Sequence, residues 1–252
     1  MRVLQETKVY LGPYLNCTRQ TFPEQPFIDL PPGTHTFTRE EKNPNTEFYL
    51  KNLVLTTLNL FVGGTETVST TLHYGFLLLM KHPEVEAKVH EIDRVIGKNQ
   101  QPKFEDRAKT LYTEAVIHEI QRFGDLLPMG VSRRVKKDTK FRDFFLSKGI
   151  EVFPMLGSVL RDLRFFSNPR DFNPQHFLGE KGQFKKRDAF VPFSIRRRNC
   201  FREGLARMEL FLYLTTIMQN FRFKSRQSPK DIVVSPKHVG FVTIPRNYTK
   251  CY

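Results

Sequence analysis

Residues 193–210 read FSIRRRNCFREGLARMEL, one cysteine among five arginines, running directly into an apolar segment. Two readings compete for it. A cluster of guanidinium groups can hold phosphates without sequence specificity. Alternatively, Cys200 is the centre of a ligand loop in which some arginines stand where other residue types belong. The flanking sequence separates these readings.

Downstream, EGLARMELFLYLTTIMQNF (203–221) is apolar on nearly all sides, which predicts a buried helix. From Arg222 the tail reads as short strands around loops. Upstream, residues 161–192 are loop-like, punctuated by Asn168-Pro169, Asn173-Pro174 and Pro192. Leu126 to about Val159 reads as short strands, with KGIEVFPM after a turn. YTEAVIHEIQRF (112–123) reads as a helix with Glu119 and Arg122 at i, i+3. In HPEVEAKVHEIDRVIG (82–97), Pro83 suits a first helical position. There Val85, Val89, Ile92 and Val95/Ile96 make one apolar face, and Gly97 is a stop.

The longest apolar run, TEFYLKNLVLTTLNLFVGGTETVSTTLHYGFLLLMK (46–81), is long enough to raise the question of a membrane span. Glu66 and the many threonines favour a buried central helix instead. Asn59, Gly63, Thr67 and Thr70/Thr71 recur at helical spacing, a polar stripe facing a ligand or water, and Gly63-Gly64 predicts a soft point or kink. Residues 1–39, with prolines at 23, 26, 31 and 32, read as irregular.

The bulk numbers set bounds. With 252 residues, 39% hydrophobic and 26% charged, the chain is globular in composition. A net charge of +14 implies acidic partners, whether nucleic acid, anionic lipid or an acidic protein face. Cys17, Cys200 and Cys251 are too few and too scattered for a disulfide framework or a zinc site. No signal peptide or amino-terminal anchor is expected from the first thirty residues.

Three motifs stand in order: GGTETVS at 63–69, EIQR at 119–122 and FSIRRRNC at 193–200. Together, at these separations, they resemble the carboxy-terminal half of a cytochrome P450, a haem-thiolate monooxygenase. The resemblance runs from about Glu40 to the end. KHPEVEAKVHEIDRVIG, RRVKKDTKFRDFFL and SPKHVGFVTIPRNYT resemble mammalian family 2, subfamily A. It implies a mainly α fold with small β-sheets: a long central oxygen-binding helix, the ExxR helix, a meander, the cysteine loop and a buried helix. By the same resemblance, residues 1–39 are expected to be an irregular or divergent segment and 40–252 a truncated haem domain.

By resemblance, Cys200 is the axial ligand of haem iron, a thiolate that favours O–O cleavage. Thr67 supports oxygen activation and proton delivery, with Glu66 the neighbouring acid. Arg198 and Arg133 pair with haem propionates. Glu119 and Arg122 form the structural ExxR pair. Asn59, Val62, Leu127, Val131 and Phe241 line a pocket for a small aromatic hydrophobic substrate. Electrons come from NADPH through a reductase, in xenobiotic metabolism, at the endoplasmic reticulum membrane, with a cytoplasmic or unstable chain the alternative expected without an anchor.

Departures from the family pattern accompany the match. The family loop reads FxxGxRxCxG, and Arg196 and Arg202 occupy both glycine positions. The first glycine serves a turn expected to have positive φ. The second lets the following helix approach the porphyrin, and Gly204 lies beyond the helix start. Leu111 and Leu163 replace usual prolines, and VHEID is one acidic residue short, which predicts a shortened helix. Catalysis is therefore expected to be impaired or lost. The alternatives are a basic non-catalytic protein binding the reductase or, less favoured, nucleic acid.

Overall fold

The computed structural model describes residues 50–247. The irregular reading of 1–39, the start of the long helix at Thr46–Tyr49, and Cys17 and Cys251 lie outside the described residues. The chain divides into two units, Met1–Leu58 and Asn59–Tyr252. Of the first, only the opening turns of a helix are described.

That helix, α1, spans Leu50–Lys81 and continues through Gly63-Gly64 without a break, so the glycine pair does not interrupt it. Its two ends differ. Tyr74 and Phe76–Met80 are buried on every side, as an all-apolar run requires. Within the second unit, the stretch ahead of these residues is not the buried helix expected from sequence: Phe61 and Val62 are exposed, Phe61 at 68%. Periodicity reports which residues could be buried, and no described element covers this face. No described helix is long and apolar enough to cross a membrane.

Helix α2, Pro83–Val89, starts with proline at its first turn. It breaks at His90 and resumes as a π turn, Asp93–Gly97, where Gly97 takes φ +101°. The predicted apolar face survives the break: Val85, Val89, Ile92 and Ile96 are buried, while Val95 is exposed. Helix α3, Leu111–Gly124, begins at the residue standing in place of proline. It is buried along almost its whole length and packs against α2, the 3₁₀ turn Pro174–Phe177 and the later helix α5.

Three two-stranded antiparallel sheets follow among the described residues. Strands β1 (Arg133–Arg134) and β4 (Glu151–Val152) pair Arg133 with Val152, and β2 (Thr139–Phe141) and β3 (Phe144–Leu146) form a hairpin. Near the end, β5 (His238–Val239) pairs with β6 (Thr243–Ile244). A short helix α4, Leu156–Leu160, stands where sequence suggested strand. Helix α5, Glu203–Asn220, buries Ala206, Leu210, Phe211, Leu214, Thr215 and Met218. It is buried on one face only, since Tyr213 is 55% exposed.

The centre of the fold is an ion pair. Arg122 and Glu119 are both fully buried, one turn apart on α3. Arg122 donates Nε to Glu119 Oε2 (2.8 Å) and Nη2 to Glu119 Oε1 (2.7 Å). Its remaining N–H groups reach the carbonyls of Leu160 (3.0 Å), Pro169 (2.8 Å) and Asp171 (3.0 Å). All five guanidinium donors are thereby satisfied. Glu119 Oε1 also accepts from the Asn173 amide at 2.8 Å, and His176 Nδ1 lies 3.2 Å from both its oxygens.

Arg122→Met should lower the unfolding free energy by about 3–5 kcal/mol, because it strands a buried carboxylate and three carbonyls. Urea unfolding should show a lower midpoint at unchanged slope. Arg122→Lys should not rescue it, having three donors for five acceptor positions.

Candidate functional site

The loop holding Cys200 closes on itself. The Cys200 amide donates to Phe193 O at 2.7 Å, Ser194 N to Val191 O at 3.0 Å, and Asn199 N to Arg196 O at 3.1 Å. The price of the tight turn is backbone strain: Ser194 has φ +67° and Arg196 φ +58°. A side chain in this left-handed region is disfavoured and a glycine is not. The positive φ expected at position 196 is present, with arginine occupying it. Cys200 is a free, exposed thiol three residues ahead of α5.

Arg202, the other substituted position, differs in kind. Its φ of −92° is ordinary, so its backbone is unstrained. Its side chain, 14% exposed, crosses to α1. There the guanidinium takes the space into which a Cβ at Gly64 would project. Nη1 donates to the Leu60 carbonyl, and Nη2 to Glu209 Oε1 at 3.1 Å. Nε is buried without a hydrogen-bond partner among the described residues. The glycine motif of α1 and the cysteine segment therefore touch directly through Arg202.

The other sequence-derived residues distribute unevenly. Thr67 donates its hydroxyl to Gly63 O at 2.6 Å, and Thr57, Thr65 and Thr71 each bond the carbonyl four residues back. The hydroxyl protons of Thr67 and Thr71 in the polar stripe are thus spent on the helix itself. Glu66 and Asn59 are exposed. Arg133 reaches the cysteine loop, donating Nη2 to Ser194 Oγ at 2.6 Å. Arg198 is exposed. Val62, Val131 and Phe241 are also exposed and Leu127 is half-buried, so the five substrate-pocket residues enclose no cavity here. Two small cavities instead lie beside Thr71 and Ile120, each about 10 Å³, room for one water at most.

Sequence alone passed over one buried polar contact behind the loop. Arg207 on α5 bonds Glu203 Oε1 through Nε (3.0 Å) and Nη2 (2.9 Å), and points Nη1 at His118 Nε2, 2.8 Å away. Arginine can only donate, so His118 Nε2 accepts and the ring is neutral, with Nδ1–H donating to Glu114 O at 2.9 Å. Phe177, Phe184 and Phe190 surround the ring. Burial, reinforced by the Arg207 cation, pushes the His118 pKa down to about 3. The available signal was a cation on an apolar helix, which demands a partner.

Comparison with known proteins gives a consistent result. The sequence profile of the cytochrome P450 family matches residues 2–252. Over 214 residues, 84% of the chain, it is 86% identical to human "Cytochrome P450 2A13" and 84% identical to human "Cytochrome P450 2A6". Mouse "Cytochrome P450 2A5" is 77% identical over the same length. The chain spans 43% of the length of each of these relatives.

Arg196→Gly should raise stability by about 1 kcal/mol by relieving the left-handed strain, measured by urea unfolding. His118 makes a pH prediction. The unfolded imidazole takes up a proton near pH 6.5 and the folded one only near 3, so stability falls as pH drops through that window. His118→Gln, which keeps a donor and an acceptor, should lose about 2 kcal/mol less than the parent between pH 7 and 4.5. Glu114, whose pKa burial raises, acts in the opposite sense but is common to both proteins. Equal pH slopes would assign the acid sensitivity elsewhere.

Proposed function

The chain belongs to the cytochrome P450 family, subfamily 2A, and we propose that it is a haem-thiolate-type chain whose monooxygenase activity is impaired or lost. In the family, the bound haem supplies O2 activation with electrons passed from NADPH by a reductase, oxidising small hydrophobic molecules. Association with the endoplasmic reticulum membrane belongs to the same reading.

Several residues of this chain suit that chemistry. Cys200 offers an accessible sulfur three residues ahead of α5. Arg133 is held beside the cysteine loop by Ser194, where a guanidinium could pair with a carboxylate. Exposed Arg196, Arg197 and Arg198 leave a basic surface that suits an acidic electron donor.

The observation that carries the impaired reading is the contact of Arg202 with Gly64. Cys200 and the glycine-threonine motif belong to opposite faces of the haem in the family arrangement. Here a guanidinium two residues from Cys200 rests on Gly64 and bonds Leu60 O, leaving no gap for a macrocycle at that point. The residues as arranged do not fit the group, and Arg196 adds strain to the ligand loop.

The test is the spectrum of the reduced CO complex after haem supplementation, for the parent and for Arg196→Gly/Arg202→Gly. The parent should give little or no thiolate-type band, with recovery in the double variant. A stoichiometric thiolate-type band in the parent, with substrate turnover in the presence of reductase, would overturn the proposal.

A further inference from the structure

We infer that Arg202 is a clasp that links α1 to α5 in the haem-free protein, with Gly64 as its receptor, so that haem entry and the clasp are mutually exclusive. This rests on the family reading above and adds a structural role for the substitution.

The receptor is built from backbone. The Leu60 carbonyl accepts the intrahelical bond from the Gly64 amide and has a second lone pair to offer. A side chain at position 64 would cover that lone pair, and glycine leaves it open. The Arg202 guanidinium enters the opening, with one nitrogen on Leu60 O and the other on Glu209 Oε1 two turns along α5. The carboxylate offsets the guanidinium charge where it leaves water, at 14% side-chain exposure. Only Nε goes unbonded. Because Arg202 has an ordinary φ, the contact costs no backbone strain.

The two arginine-for-glycine positions therefore oppose each other. Arg196 strains the loop without making a contact across to α1, while Arg202 makes the contact without strain. Arginine at 202 supplies from the protein itself a bridge between segments that the family joins through its cofactor.

A double-mutant cycle on the purified 252-residue chain without haem tests the clasp. In an exposed helix, Gly→Ala is ordinarily stabilising. Here Gly64→Ala should lower the melting temperature by about 4 °C while Arg202 is present, and raise it in the Arg202→Gly background. Arg202→Gly and the volume-keeping Arg202→Met should each melt below the parent. If Gly64→Ala fails to fold alone but folds with Arg202→Gly, the clasp is equally supported. Gly64→Ala effects of the same sign in both backgrounds would overturn it.

A haemin titration followed by the Soret band tests exclusivity. Arg202→Gly should bind at least about tenfold more tightly than the parent, a difference of about 1.4 kcal/mol. Equal affinities would remove the exclusivity. A thiolate-type CO spectrum in the parent would end the functional proposal yet leave the sign of the cycle intact. A cycle without sign reversal would end the clasp whatever the spectrum.

Discussion

A guanidinium denied all contact with water must find an acceptor for every N–H, and the rest of the structure forms around that requirement. Arg122 uses Glu119 twice and takes three backbone carbonyls from Leu160, Pro169 and Asp171. Those carbonyls belong to a stretch with little regular structure, which could not otherwise satisfy its polar groups in the interior. Glu119 completes the arrangement by receiving the Asn173 amide and facing His176. The segment so fixed leads to the cysteine loop. An exposed i, i+3 pair contributes a few tenths of a kcal/mol, whereas this buried pair holds the chain from Leu160 to His176 against its own helix.

Arginine meets a different environment at each point around Cys200. At 196 it is a backbone problem, a side chain in a left-handed conformation. At 202 it is a packing problem, resolved against Gly64 and Glu209. At 207 it is a partner for a neutral buried histidine and for Glu203. Residue type alone does not distinguish these positions; φ, burial and the nearest acceptor do.

Helix α1 shows how far periodicity can be taken. Its polar stripe is real as a pattern, but the threonine hydroxyls donate to their own helix, and the apolar front face is exposed. The hydrophobic pattern of α2 outlasted a broken helix because the 85, 89, 92, 96 spacing still turns one face inward. The short helix at Leu156–Leu160 escaped detection, since five residues carry too little periodicity to tell from a strand.

The sequence by itself determined the order of the helices, the spacing of the three motifs and the family they mark, because these depend on local periodicity and residue identity. It also marked positions 196 and 202 as abnormal. Only the tertiary structure decided what each abnormality does. The burial of Arg122, the neutral state of His118 and the reach of Arg202 to Leu60 all depend on partners dozens of residues away in sequence. A long charged side chain settles wherever folding places the nearest unsatisfied oxygen, and no local pattern encodes that location.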